Sequence, residues 1–216
     1  MKIPFWKVLY SVNTVVASRK GTHYNRKQDE KRGGFAMEAI TCIKNRRSIR
    51  KYKEDSIPHE LIEEIVDTAR FAPSWKNTQT VRYICVEDPV LKQQIADHCT
   101  EGSAHNGDII SQAPALIALT YISGRSGYER DGSFTTTRGE AWECFDAGVA
   151  AEAFCLAAWE KGLGTCIMGI YDEKRVAAFL ELPEGIRVGA LIPVGYPADE
   201  PAAPKRKDVD MLLAFR

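Results

Sequence analysis

The sequence predicts one domain that mixes helices and strands, without the strict βαβ alternation of a doubly wound sheet. Three observations carry this expectation. Helical patterns run over residues 61–69 and 141–160, the second dense in Ala and apolar all round. Short apolar runs at residues 81–86, 115–121 and 188–194 have strand length and are separated by unequal connections. No Gly-x-Gly-x-x-Gly follows any of these strands, which argues against a Rossmann dinucleotide site.

Taken in order, residues 37–45 place Met37, Ile40 and Ile43 on one face of a short helix. Ser56-Ile57-Pro58 opens the next helix, with Glu60, Glu63 and Glu64 near its positive end and Leu61, Ile62, Ile65, Val66 and Ala69 as its stripe. Pro73 stops it. A strand at 81–86, a turn at Asp88-Pro89 and a helix at 91–98 follow. After the strand at 115–121, residues 123–138 are rich in Gly, Ser, Thr and charge and show no period, which predicts a functional lid or a disordered loop. The helix at 141–160 should be central and buried, ending at Gly162 and Gly164. A strand at 165–168, a helix at 173–180 capped by Asp172 and a strand at 188–194 complete the core. The Pro/Ala-rich stretch 197–204 leads to Lys205-Arg206-Lys207 and a short apolar tail, residues 211–215.

The 216 residues are 44% hydrophobic and 27% charged with zero net charge. This is the composition of one globular domain with a real core, and nothing global draws it to nucleic acid or membrane. Six scattered cysteines without a Cys-x-x-Cys pair read as reduced, buried apolar residues of a cytoplasmic protein. His98, Cys99 and His105 come nearest to a metal cluster but lack ligand spacing, so no metal is expected.

Charge exposes a seam. Residues 1–36 carry eight Lys/Arg against two Asp/Glu, whereas the remainder is net acidic by six. The apolar part of this leader, residues 3–17, is interrupted by Lys7, Ser11, Asn13 and Thr14, too short and polar to span a bilayer and without a clean signal-peptide cleavage site. Residues 18–32 are polar and read as disordered. Arg32-Gly33-Gly34 is encodable by purine-rich codons resembling a ribosome-binding site just upstream of Met37. The expectation is therefore a non-conforming leader over 1–36, disordered or not translated, followed by a single domain over 37–216. Intact-mass analysis of the native protein checks this, and a product retaining Met1 contradicts the internal start.

Three segments carry chemistry. Arg46-Arg47-Ser48-Ile49-Arg50 follows the first helix, where three guanidinium groups and a hydroxyl can hold a phosphate in a fork of charge-assisted hydrogen bonds. Pro73-Ser74-Trp75-Lys76-Asn77-Thr78-Gln79 is a polar turn after an apolar helix. Gly162-Leu163-Gly164-Thr165-Cys166-Ile167-Met168-Gly169 is Gly-rich, so backbone can approach a flat ligand.

In this order the segments resemble the nitroreductase family of FMN enzymes, over most of residues 37–215. The resemblance implies an α+β fold, a central mixed or antiparallel sheet wrapped by helices. It further implies an intertwined homodimer, with a C-terminal arm crossing to the partner and flavins in the interface. It assigns Arg46, Arg47, Ser48 and Arg206 to the FMN phosphate. Arg50 goes to the flavin N1/O2 edge, where a cation stabilises negative charge on the reduced ring. Pro73, Ser74, Trp75 and Asn77 belong to a loop that touches the flavin of the other subunit, with Ser74 and Asn77 as direct contacts. Asn106 falls where relatives place an amide against the pyrimidine edge, matching its donor and acceptor pattern. A backbone N–H of Met168 or Gly169 would face flavin N5.

The implied activity is two-electron, ping-pong transfer of hydride from NAD(P)H through the flavin to nitroaromatic or quinone-like acceptors. No catalytic acid or base side chain is required. Where many relatives continue Gln-Pro-Trp, this chain has Gln79-Thr80-Val81-Arg82, a departure at the acceptor pocket, although Trp75 could supply an aromatic wall nearby. Residues 123–138, with Tyr128, Arg130 and Phe134, are the candidate lid. Same-fold flavoenzymes with other chemistry (dehalogenation, azoline oxidation, flavin fragmentation) and a non-catalytic FMN-binding module stay open as alternatives. A nucleic-acid role is disfavoured because residues 37–216 are net acidic and show no interleaved basic and aromatic stripe.

Overall fold

A computed structural model describes residues 37–216; the expected leader, 1–36, lies outside the described residues. The chain is α+β. Its elements run α1 (Ala39–Asn45), α2 (His59–Ala69), a 3-10 turn (Trp75–Asn77), β1 (Val81–Val86), α3 (Pro89–His98), α4 (Ala104–Gln112) and β2 (Ala115–Ile122). Then come α5 (Ala141–Glu160), β3 (Gly164–Thr165), α6 (Glu173–Phe179), β4 (Ile186–Gly195) and a 3-10 turn (Val209–Met211).

The sheet has order β1-β2-β4-β3, and every neighbouring pair is antiparallel. A single parallel bridge, Ser48 with Thr165, joins it from outside. Strand β2 is buried along nearly its whole length because helices cover both faces of the sheet. Side chains alternate across the pleat. Ile117, Leu119 and Tyr121 meet α2 and α5 through Ile65, Phe154 and Ala158. Leu116 and Ala118 meet α3, α4 and α6 through Ile95, Ile110 and Val176.

Four local expectations are corrected. Helix α1 starts at Ala39, and its Ile40 and Ile43 are exposed, while Cys42 is the residue that faces inward and reaches the Leu156 carbonyl. The strand expected over 165–168 shrinks to Gly164–Thr165 because Cys166 comes opposite Pro193. The Cys166 N–H donates to the Pro193 carbonyl, but proline has no N–H to return the bond, so the ladder stops and resumes only at the Met168–Leu191 bridge. Helix α5 is buried over a broad face, not all round: Cys144 and Phe145 in its first turns are exposed. Residues 104–112, given no element from the sequence, form α4, with the Ser103 hydroxyl accepting from the Asn106 N–H. Asp172 caps α6 as expected, accepting from the Arg175 N–H.

Candidate flavin site

Backbone stitching brings the basic motif and the Gly-rich segment together. The Ile49 N–H donates to the Thr165 carbonyl at 2.9 Å, so residues 48–49 lie against β3. Gly164 makes the approach possible: a Cβ there would stand 2.4 Å from Cγ1 and 2.6 Å from Cβ of Ile49, which is fully buried. On the other side, Lys53 N–H donates to the Tyr196 carbonyl and Ala198 N–H to the Lys51 carbonyl, fastening the start of the C-terminal arm under the motif. The Tyr52 hydroxyl donates to the carbonyls of Ile49 (2.6 Å) and Pro193 (3.2 Å), and burial raises its pKa.

The result is a cavity of about 310 Å³ lined by Arg46, Arg47, Ser48 and Arg50 on one wall and Pro201, Pro204 and Arg206 on the other. Arg206 is 156 positions beyond Arg50 in sequence, yet the arm delivers it to the same pocket. Part of the charge is already committed. One Arg47 terminal nitrogen donates to the Lys44 and Arg46 carbonyls, closing α1, and Arg50 donates to the Ser48 carbonyl at 3.3 Å. Arg46 is not satisfied. Its Nε is buried and makes no hydrogen bond, although the Glu152 carboxylate stands 3.5 Å away as an ion pair. A buried guanidinium N–H without an acceptor costs free energy. Four guanidinium groups and one hydroxyl around one cavity fit a dianionic phosphate.

The Gly-rich segment leads away from this pocket. The Met168 N–H is bound to the Leu191 carbonyl at 2.8 Å, so it is not free to face a ligand. Of the two donors expected for flavin N5, that leaves Gly169, which is exposed and has open space where a Cβ would project. Asn106 lies beside this segment, its side-chain amide reaching the Ile170 carbonyl at 3.5 Å. Burial raises the Cys166 pKa, opposed by Arg50 and then Arg46, so the thiol stays protonated and offers no general base.

The loop holding Pro73, Ser74, Trp75 and Asn77 is not in this cavity. It borders a separate one of about 130 Å³ with Arg82, Tyr83 and Asp146. Lys76, Asn77 and Gln79 all have positive φ, an uncommon clustering for residues with side chains. The Ser74 hydroxyl accepts from the Gln79 N–H, which occupies part of a group expected to contact flavin. Asn77 is exposed, and Trp75 packs against Trp142 with centroids 4.7 Å apart. Both carboxylate oxygens of Asp146 accept from the Trp75 N–H, a tie that sequence reasoning missed. Its signal was present: Glu143 and Asp146 are acids three apart in an Ala-rich apolar helix. Among the described residues no group of three or more His, Cys, Asp or Glu is placed to hold a metal.

An antiparallel sheet, a basic pocket and a Gly-rich edge together make up this α+β domain. The nitroreductase family model matches residues 43–196, and the chain belongs to the nitroreductase family. Its relatives include an NADH dehydrogenase of Thermus thermophilus, 29% identical over 203 residues, covering 83% of this chain and 97% of that protein. The FMN reductase (NAD(P)H) of Bacillus subtilis is 28% identical over 178 residues, covering 78% and 70%. The crystal structure of a nitroreductase family protein from Clostridium novyi NT superposes with a TM-score of 0.65 at 30% identity, covering 77% of this chain and 90% of that one.

Proposed function

We propose that this chain is an FMN-dependent oxidoreductase that takes hydride from NADH or NADPH and delivers two electrons at a time to nitroaromatic or quinone-like acceptors. The observation that carries the reading is the cavity lined by Arg46, Arg47, Ser48, Arg50 and Arg206 within a chain of this family. When bound, FMN supplies the redox chemistry, accepting and donating hydride at N5. The protein binds, orients and shields. Arg46, Arg47, Ser48 and Arg206 would hold the phosphate. Arg50 places positive charge at the pyrimidine end of the ring, favouring its reduced form. The Gly169 N–H would be the donor available to N5, and the Asn106 amide would serve the pyrimidine edge.

Pro73, Ser74, Trp75 and Asn77 complete the site from a second copy, so the working unit is a homodimer whose C-terminal arms cross. Residues 123–138, with Tyr128, Arg130 and Phe134, contact the acceptor. Six free thiols suit a reducing compartment, and the cytoplasm is the proposed location. Among the described residues no helix is long and apolar enough to cross a membrane.

The test is an anaerobic absorbance spectrum of the FMN-reconstituted protein before and after NADH or NADPH. Bleaching of the yellow band, with parallel double-reciprocal lines in steady state, is the expected outcome. A protein that cannot be reconstituted with FMN overturns the assignment.

A further inference from the structure

Two loops that the sequence separates by about fifty residues converge on one buried carboxylate. Asp146 is 3% exposed and sits on α5, the helix that carries Phe154, Cys155 and Ala158 of the core. Its Oδ1 and Oδ2 accept from the Trp75 N–H at 3.1 and 2.9 Å, and Oδ2 also accepts from the Ser126 hydroxyl at 2.5 Å. Ser126 is fully buried, and its oxygen lies 3.2 Å from Oγ1 of Thr78. Further out, Lys76 pairs with Glu129 at 2.9 Å, and Trp75 packs on Trp142. One turn before Asp146, the Glu143 carboxylate accepts from the Gly124 N–H at 2.6 Å. A carboxylate buried in an Ala-rich helix is costly unless its lone pairs are used. Here they are used, and their partners come from two different loops.

We infer that Asp146 is a positioning residue that makes residues 73–79 and residues 123–129 one mechanical unit. The inference rests on the proposed function for its consequence: the first segment faces flavin and the second faces the acceptor. An acceptor seated against the long loop is thereby registered to the ring through Ser126, Asp146 and the Trp75 backbone. The three positive-φ residues, Lys76, Asn77 and Gln79, hold their conformation because this unit over-determines them. Neither loop keeps its shape when the other is released.

The test is backbone hydrogen exchange on Ser126→Ala, with Glu129→Gln and Asp146→Asn beside it. Ser126→Ala leaves the Trp75–Asp146 bonds intact and removes both ties of the Ser126 hydroxyl, to Asp146 and to Thr78. If the loops are one unit, exchange at the amides of Asn77, Thr78 and Gln79 rises roughly tenfold together with that at residues 124–129. Glu129→Gln, a surface change, raises both by a smaller factor. The acceptor KM rises in Ser126→Ala and Glu129→Gln, and in Ser126→Ala FMN affinity measured by fluorescence titration falls with it, because residues 73–79 face the flavin. Asp146→Asn keeps an acceptor oxygen for Trp75 and retains most of the protection. Exchange that rises only at 124–129 in Ser126→Ala and Glu129→Gln overturns the inference, whether or not Asp146→Asn folds. Failure to bind FMN at all overturns the proposed function instead and leaves the exchange result readable.

Discussion

At the residue scale, the pocket depends on how closely Ile49 can approach β3. Ile49 has no exposed surface and stands between Ser48 and Arg50. The missing side chain of Gly164 admits it, since an added Cβ would press on Cβ and Cγ1 of Ile49, atoms too close to the backbone to swing aside. Gly164→Ala therefore forces residues 48–50 outward. The cost is about 1–3 kcal/mol of stability, the usual range for overpacking a filled core. The same displacement moves Ser48 and Arg50 relative to Arg206 across the cavity, so FMN affinity should fall with stability. Urea unfolding and FMN fluorescence titration read the two effects separately. Unchanged values in both would mean that the Ile49–Gly164 contact relaxes freely and does not set the pocket.

At the element scale, α5 anchors the long loop with a group that is uncomfortable when charged. Glu143 is 2% exposed and its pKa is raised, chiefly by desolvation, with the Gly124 and Arg125 backbone and Arg187 opposing. A carboxyl whose folded pKa exceeds its unfolded one contributes stability that is fully present below the unfolded value. That contribution is lost as pH rises through the folded value. Glu143→Gln keeps an oxygen to accept from the Gly124 N–H and removes the charge. The variant's melting temperature relative to wild type should therefore climb as pH goes from below about 4.3, the ordinary glutamate range, to neutrality. A variant that instead loses ground as pH rises would show that the bond to Gly124 outweighs desolvation. The long loop is folded on itself: Tyr128 bridges Phe134, and the Thr135 N–H donates to the Gly127 carbonyl.

At the scale of the whole molecule, local signals were legible and paired ones were not. Strand β1 was fully outlined by its apolar run, and α5 by its length and composition. The residues of the basic motif were visible because their charges are adjacent in sequence. Helix α4 was hidden. Its two buried anchors, Ile109 and Ile110, are adjacent rather than helically spaced, and Gly107 is there because a Cβ would come 3.0 Å from the Ala96 carbonyl of α3. The end of β3 depends on Pro193 across the ladder, and the tie between Trp75 and Asp146 spans 71 positions. Ile40 and Ile43 stay exposed among the described residues, so what covers them is a question of assembly. The C-terminal arm poses the same question more strongly: Val209, Met211, Leu212 and Phe215 are 68–90% exposed, an apolar run left uncovered among the described residues. In the proposed dimer a second copy covers it, which separates two roles of the arm. Ending the chain after Asp208 keeps Arg206 but removes the apolar run. Fully burying such a side chain is worth about 1.5–3 kcal/mol, so removing the run, even if it is only partly buried and after association costs, should weaken the proposed dimer by about two orders of magnitude. Ending it after Pro204 removes Arg206 as well, and FMN affinity should then fall even at protein concentrations that restore the dimer. Sedimentation velocity across a concentration series reads the first effect, and FMN titration at saturating protein reads the second. If the chain ending at Asp208 dimerises as tightly as the full one, the arm serves the phosphate pocket alone and the interface lies elsewhere, with Ile40 and Ile43 the next surface to test.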